Sequence, residues 1–142
     1  MTQVLAGVDV VRRINEVRPG LVVEWNETDV WVAPQDIYKT AKLFYEDSEF
    51  DCSMLLGLTA VDYIEYFELV YHLRSMRKNQ TAVMKSKLPG RGELIVSSVT
   101  DIWKGADLQE REIYDLMGIR FDGHPNMKRV LLWEGFPGHP LR

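Results

Sequence analysis

The stretch YFELVYHLRS, Tyr66–Ser75, decides the fold. Its large apolar side chains stand at every second position: Phe67, Leu69, Tyr71 and Leu73. Three polar side chains stand at alternate positions of the opposite register: Glu68, His72 and Arg74. Because successive side chains of a strand point to opposite faces, this alternation predicts a β-strand with one buried and one solvated face.

Two neighbouring segments extend this strand into a sheet. After it, Asn79-Gln80 predicts a turn, and Thr81–Leu88 again alternates apolar residues with polar ones. Before it, Phe50–Thr59 is mostly apolar, which is typical of a strand buried on both faces, so we expect it at the centre of the sheet. Together the three segments predict an antiparallel meander.

The first third of the chain predicts two helices and a hairpin. Asp9 is a helix-capping residue, and the apolar positions after it are spaced three and four residues apart. Leu21–Trp25 and Val30–Val32 favour the two strands of a hairpin. Pro34 suits the first turn of a second helix, which we expect to continue to about Tyr45.

The last third differs from the rest. Ser98–Trp103 predicts a short helix, and Asp107–Glu110 has the spacing of a capping box for a second helix that ends at Gly118. The remainder is rich in proline and glycine but keeps large apolar side chains, so we expect it to lie extended against its own domain or another subunit. The predicted fold class is α+β: a mostly antiparallel sheet with N-terminal and flanking helices, then a short helix pair and an extended C-terminal arm. We divide this domain into an α+β part, residues 1–105, and a helix with its arm, residues 106–142.

Composition excludes several classes of function. The chain has 142 residues with 17 basic and 21 acidic side chains in mixed order, and its net charge of −4 argues against a nucleic-acid-binding protein. Its single cysteine, Cys52, cannot form an internal disulfide, and an iron–sulfur cluster needs about four thiolates. The longest apolar stretch, Met54–Val61, is far shorter than the roughly 20 residues that span a bilayer, and the N-terminus has no basic leader. We therefore expect a reduced, cytosolic domain.

The densest cluster of ionisable side chains is EREIYD, Glu110–Asp115. On a helix, Glu110 shares an apolar stripe with Ile113, and a carboxylate buried on such a stripe has to be paired. One interpretation makes Glu110 a general acid or base with a raised pKa. The other, which we favour, is an ion-pair network that fixes the helix, with Lys128 or Arg129 as the counter-charge.

His124 is the other candidate for chemistry. It stands between Gly123 and Pro125, in backbone that the proline keeps extended. There it would act as a catalytic base, as a metal ligand or as a hydrogen-bonded structural residue. No Gly-x-Ser-x-Gly motif occurs, and Cys52 in its apolar segment is expected to be an inert thiol. A stand-alone acid–base enzyme matches no complete mechanism; it would pair His124 with one of three carboxyl groups: Glu110, Glu112 or Asp115.

The C-terminal third resembles a known family. Three successive segments are similar to the signature of the 30 kDa subunit of respiratory complex I, which is the C subunit of bacterial NADH–quinone oxidoreductase: EREIYDLMGI (Glu110–Ile119), Phe121-x-Gly123-His124-Pro125 and KRVLL (Lys128–Leu132). The order of upstream segments is similar too: LTAVD (Leu58–Asp62), FELVYHL (Phe67–Leu73) and SVTDIW (Ser98–Trp103). The resemblance covers about Phe50–Arg142 well, and the first third only by the order of its elements.

This resemblance implies a subunit without chemistry of its own. It implies an α+β fold and no cofactor in this chain, with the iron–sulfur clusters, FMN and quinone held by partner subunits. The expected place is the peripheral arm, on the cytoplasmic side of the membrane. There the chain would lie beside the large 49 kDa-type subunit that shapes the quinone site and near the subunit with the terminal iron–sulfur cluster. The residues that match the signature become the expected interface and scaffold residues: Glu110, Arg111, Glu112, Tyr114, Asp115, Gly118, Gly123, His124, Pro125 and Arg129.

The sequence departs from the family pattern at three places. Asp107-Leu108-Gln109 stands where asparagine and aromatic residues are more frequent, and the hairpin loop Asp62–Glu65 is short. The chain also stops at Arg142, where relatives usually continue. Similar subunits occur in membrane-bound hydrogenases and in ferredoxin- or deazaflavin-linked complexes, so the electron donor stays open.

Overall fold

The computed structural model describes residues 2–90, 92–127 and 137–141. Within them the elements follow in this order: β1 Gln3–Val4, α1 Gly7–Val17, β2 Val22–Trp25, β3 Asp29–Val32, α2 Ile37–Glu46, β4 Met54–Asp62, β5 Tyr66–Ser75, β6 Gln80–Pro89, β7 Leu94–Ser97, α3 Ala106–Met117 and β8 Ile119–Asp122. One 3₁₀ turn, Pro34–Asp36, precedes α2. The α+β class is confirmed. None of the described helices has the length and apolar character needed to cross a membrane.

The main sheet has the order β2-β3-β6-β5-β4, and β1 pairs with β6 beside β3. β4, β5 and β6 are antiparallel, and Tyr71 in the middle of β5 pairs with Leu58 on one side and Met84 on the other. The predicted meander is therefore confirmed. The predicted position of its first strand is wrong, because β4 lies at the edge of the sheet and begins at Met54.

The apolar segment before β4 is buried for a different reason. Phe50 and Cys52 lie in the connection after α2, where the Phe50 ring packs on Phe44 with 4.7 Å between ring centroids. The indole N–H of Trp103 donates to the Cys52 carbonyl oxygen at 3.0 Å. A run buried under a helix end and a run buried in a sheet have the same apolar composition, so periodicity does not separate them. Burial raises the pKa of the Cys52 thiol to about 12, in keeping with the predicted inert thiol.

The two faces of β5 are both largely covered. Its core-facing side chains are fully buried, as predicted: Phe67, Leu69, Tyr71 and Leu73. The predicted exposure of Glu68 on the other face is wrong, since this carboxylate is only 4% exposed. The indole N–H of Trp31 on β3 donates to Glu68 at 2.9 Å, and the Lys85 ammonium lies 3.9 Å from its other oxygen.

The hairpin and both N-terminal helices are confirmed, but the starts of both helices differ from the prediction. Pro34 lies in the 3₁₀ turn, and α2 begins at Ile37. α1 begins at Gly7 rather than at Asp9, and Ala6 is its N-cap. The Gly7 N–H donates to the Glu27 carbonyl oxygen at 2.7 Å. A Cβ at position 7 would lie 1.9 Å from the Asn26 carbonyl oxygen, so only glycine permits this contact between α1 and the hairpin turn.

Candidate functional site

The signature residues meet on α3 and on the segments that contact it. α3 packs against β4, and it leads into β8, which pairs parallel to β7. The helix ends at Gly118, as predicted, where φ is +76° and the N–H donates to the Tyr114 carbonyl oxygen at 2.9 Å. Glycine tolerates this left-handed backbone, so the chain turns directly from α3 into β8.

Glu110 is fully buried on the inner face of α3. Its Oε1 accepts a hydrogen bond from the Ser98 hydroxyl at 2.6 Å, and its Oε2 accepts one from the Val99 N–H at 2.9 Å. Burial raises the pKa of Glu110, while these two hydrogen bonds and the nearby His124 act in the opposite direction without cancelling the rise. The carboxyl group therefore joins α3 to the loop that follows β7.

These bonds overturn two predictions about local structure. The capping box at Asp107–Glu110 is wrong, because α3 begins at Ala106 behind Gly105 and the Glu110 side chain is bound to Ser98 and Val99 instead. Residues 98–103 form turns rather than a helix. The Ser98 hydroxyl oxygen accepts the Thr100 N–H at 3.1 Å, a local bond that competes with helix formation. The predicted helix pair is thus reduced to α3.

The other signature residues of α3 divide between its faces. Asp115 is fully buried, Arg111 and Tyr114 are half-buried, and Glu112 is exposed. Asp115 is thus a second buried carboxyl group on α3, in addition to Glu110. The counter-charges predicted for this cluster, Lys128 and Arg129, lie outside the described residues.

Residues 137–141 lie on the C-terminal half of α3. The Leu141 N–H donates to the Leu116 carbonyl oxygen at 2.8 Å. The His139 ring packs against Tyr114 with 5.5 Å between centroids, and its Nδ1 lies 2.9 Å from the Asp115 carbonyl oxygen. This part of the tail therefore rests on its own domain, one of the two placements that the sequence left open.

His124 has a fully buried imidazole whose two nitrogens both have partners. Nδ1 accepts the N–H of Asn126 at 2.8 Å, so Nε2 carries the proton in the neutral ring. Nε2 lies 3.1 Å from the backbone carbonyl oxygen of Asp107 and 2.9 Å from its carboxylate. The ring fastens the turn after β8 to the first turn of α3, which favours the structural interpretation of His124. Gly123, with φ of +86°, forms this turn, and Pro125 beside it is exposed.

The two acid–base candidates of the signature are bound within the chain. Both oxygens of Glu110 and both nitrogens of His124 have partners within the chain itself. Among the described residues, no group of three or more His, Cys, Asp or Glu side chains is placed to hold a metal ion. A shallow apolar groove of about 180 Å³ lies between α3 and β4; its walls include Leu58, Ile113, Met117 and Leu141, with Glu112 among them.

The sequence did not reveal the side chains that bind residues far away along the chain. The side-chain oxygen of Gln109 accepts the N–H of Leu58, which fastens α3 to the edge strand β4. The amide nitrogen of Gln109 donates to the Gly105 carbonyl oxygen at 3.0 Å. Ser98 and Asp107 hold Glu110 and His124, and neither role has a local signal, because each partner comes from a different element.

Comparison with known proteins identifies the family. Residues 30–142 match the family model described as respiratory-chain NADH dehydrogenase, 30 Kd subunit. The chain belongs to this family. The predicted resemblance, made on the α3 signature and the segments before it, is thereby confirmed.

Relatives in the 30 kDa subunit family cover most of the chain. It is 38% identical over 141 residues to the C subunit of the NADH-quinone oxidoreductase from Ruegeria sp. strain TM1040, covering 94% of this chain and 69% of the relative. The corresponding C subunit from Azorhizobium caulinodans is also 38% identical over 141 residues, covering 94% and 66%. The chain thus spans about two-thirds of the length of these relatives.

A solved structure shares the fold. A chain in the structure of the membrane-bound sulfane sulfur reductase (MBS), an archaeal respiratory membrane complex, superposes with a TM-score of 0.73 at 25% identity. The match covers 90% of this chain and 77% of the other.

Proposed function

We propose that this chain is a peripheral, non-catalytic subunit of a proton-translocating NADH–quinone oxidoreductase. Its task is to brace the large quinone-site subunit of the 49 kDa type and the subunit with the terminal iron–sulfur cluster. The observation that carries the proposal is membership of the 30 kDa subunit family over residues 30–142. The relatives named as C subunits of NADH-quinone oxidoreductases support it.

The geometry of the signature residues supports a scaffold rather than an enzyme. Glu110 and His124 are the most suitable acid–base groups in the signature, and both are buried and used to fasten α3 to its surroundings. Glu112, Gly123 and Pro125 are exposed, and Arg111 and Tyr114 are half-buried; these described members of the signature are the interface candidates. In this proposal the buried residues shape the surface, and the accessible ones contact the partner.

The cofactors of the assembly belong to other subunits in this proposal. The iron–sulfur clusters, FMN and quinone lie in partner chains, and this chain contributes no ligand to them. It is held at the cytoplasmic side of the membrane by its partners, as a peripheral subunit.

A related machine is the second candidate. The fold match to a chain in the membrane-bound sulfane sulfur reductase favours an equivalent subunit in a complex with another electron donor or acceptor. Membrane-bound hydrogenases and ferredoxin- or deazaflavin-linked complexes fall in the same class. Both candidates share the bracing role and differ in the electron-input subunits beside the chain.

Affinity purification of the tagged chain from its native cells tests the proposal. We expect mass spectrometry to identify a quinone-site subunit and iron–sulfur subunits in the purified complex, together with the NADH-oxidising flavin subunit. Recovery of a hydrogenase or sulfur-reducing module instead selects the second candidate. A tagged chain that recovers neither set contradicts the bracing role.

Glu110→Gln separates a scaffold from a stand-alone enzyme in the same cells. A scaffold residue affects the yield of assembled complex or the stability of the chain, whereas a catalytic residue leaves assembly intact and lowers the rate. Glu112→Gln is the matched control, because it makes the same chemical change on the exposed face of α3. A normal yield and normal stability for Glu110→Gln, with a lost activity, would reject the scaffold.

A further inference from the structure

The tip of the β4–β5 hairpin has an unusual backbone. Ile64 adopts φ of +73°, in the left-handed region. A β-branched side chain is disfavoured there, because its Cβ crowds the following carbonyl group. Elsewhere in the described ranges, positive φ outside glycine occurs at Asp51 and Asn79, which are residue types that tolerate it. Ile64 therefore differs from the other described residues of this kind in carrying a β-branched side chain.

Burial does not account for isoleucine at this position. The Ile64 residue is 78% exposed, and its neighbours Tyr63 and Val61 are 49% and 37% exposed. Removing so exposed a side chain costs the fold little, while glycine or asparagine would relieve the backbone. A disfavoured backbone conformation at an exposed apolar residue points to a function of that residue.

The tip is rigid as well as exposed. The Ile64 N–H donates to the Asp62 carboxylate at 2.8 Å, and the Tyr63 N–H donates to the Tyr66 carbonyl oxygen at 2.9 Å. The rings of Tyr63 and Tyr66 stack with 5.1 Å between centroids. A side chain presented on a fixed backbone loses little entropy on binding, which is the usual condition of an anchor residue at an interface.

We propose that the hairpin tip, Val61–Glu65, is a docking anchor whose Ile64 side chain enters an apolar pocket on a neighbouring protein subunit. Because Glu65 beside it is an exposed carboxylate, the rim of that pocket carries a basic side chain. The inference rests on the proposed function, since the partner is another subunit of the same assembly. It adds an attachment point outside the α3 signature.

A protein pocket suits the tip better than a lipid surface. The exposed Glu65 carboxylate and the net charge of −4 are both repelled by an anionic leaflet. One isoleucine and one partly exposed tyrosine bury too little apolar area to hold a domain on a bilayer, which takes larger apolar surfaces or added basic charge. A small pocket that desolvates a single anchor requires neither.

Ile64→Asn tests the anchor, because it relieves the backbone and removes the apolar side chain at once. Met76→Asn is the matched control; Met76 is 57% exposed and follows β5 at its opposite end. Tagged chains are purified from native cells, and the recovered quinone-site and iron–sulfur subunits are quantified against the wild type. The thermal unfolding midpoint of each purified chain is measured in parallel.

We expect Ile64→Asn to lower recovery of the partner subunits at least fivefold while its unfolding midpoint stays equal or rises. Met76→Asn should keep recovery within twofold, and Ile64→Val should bind like the wild type. Equal recovery with Ile64→Asn overturns the anchor, as does a parallel loss of recovery and stability. A wild-type chain that recovers no subunits instead refutes the proposed function.

Vesicles of phosphatidylcholine and phosphatidylglycerol test whether the hairpin tip binds lipid instead. The wild-type chain should not sediment with them at physiological salt. Sedimentation that Ile64→Asn abolishes would assign the tip to a lipid surface and overturn the protein pocket.

Discussion

The Glu110 carboxylate and the Ser98 hydroxyl lie 2.6 Å apart, in a bond that connects the middle of α3 to the loop after β7. The Val99 N–H donates to the second oxygen of the same carboxylate at 2.9 Å. Because β7 pairs with β8 and β8 follows α3, the carboxylate closes a small unit made of one helix and two strands. Glu110, an acidic residue of the family signature, therefore fixes the position of α3 in the fold.

Removing the Glu110 side chain should destabilise the fold. In Glu110→Ala the Val99 N–H and the Ser98 hydroxyl lose their acceptor inside the core, so we expect a loss of about 2–4 kcal/mol in the free energy of unfolding. Glu110→Gln keeps one acceptor and gains an amide that can donate to Ser98, so its loss should be about 1 kcal/mol. Denaturant unfolding of the purified chain measures both. Glu112→Ala, on the exposed face of the helix, should stay within about 0.5 kcal/mol, and equal losses at the two positions would contradict the structure.

The free energy of unfolding should depend on pH through the protonation of Glu110. Burial raises its pKa in the folded state above the ordinary value of 4.5, so the folded chain binds this proton more tightly than the unfolded chain does. The contribution is fully present below pH 4.5 and is lost as the pH rises through the folded-state pKa. The free energy of unfolding of the wild type, minus that of Glu110→Gln, should therefore fall as the pH rises from 4.5.

Subtracting the pH curve of Glu110→Gln from that of the wild type isolates the contribution of Glu110. Asp47 acts with the opposite sign, because the Arg13 guanidinium, 2.7 Å away, lowers the pKa of its carboxyl group and adds stability at higher pH. That contribution is common to wild type and Glu110→Gln, so it cancels in the difference. A difference that grows with pH would show that the ionised Glu110 is the favoured form in the fold.

Local patterns in the sequence were enough to predict some of the elements. The alternation in Tyr66–Ser75 and the glycine at position 118 led directly to β5 and to the end of α3. The position of β4 could not be obtained this way, because an apolar run does not say whether a helix end or a second strand covers it. The turns at residues 98–103 could not be predicted from local sequence either. Ser98 binds the carboxylate of Glu110, which lies on a helix that comes later in the chain.

The candidate site was predictable in its residues and not in its contacts. A carboxylate on the apolar stripe of α3 had to be paired, and this argument from burial cost pointed to Glu110. The partner was expected to be a cation, whereas the described contacts are a hydroxyl and a backbone N–H. A hydrogen-bonded loop solves the same energetic problem as an ion pair, and sequence spacing does not distinguish the two.

The bond between Trp31 and Glu68 should stabilise the sheet on the face opposite Tyr71. In Trp31→Phe the nearly buried Glu68 carboxylate loses the indole N–H that donates to it at 2.9 Å, so we expect a loss of about 1–2 kcal/mol. Trp25→Phe is the matched control, because Trp25 is 50% exposed at the edge of the same sheet, and it should change stability by less than about 0.5 kcal/mol. A double-mutant cycle with Glu68→Gln isolates the pair. Additive losses in that cycle would mean that the two side chains do not interact.

One glycine precedes α3 and another follows β8, and the same substitution should act on them with opposite signs. Gly123 has φ of +86° and Gly105 has φ of −62°, and a Cβ at either position meets no atom within 4 Å. Gly123→Ala therefore carries only backbone strain, which we expect to cost about 1 kcal/mol. Gly105→Ala restricts the unfolded chain without strain, so it should stabilise the fold by about 0.5 kcal/mol. Thermal unfolding of the two variants decides the matter: equal shifts would mean that the turn holding His124 does not need a left-handed residue at position 123.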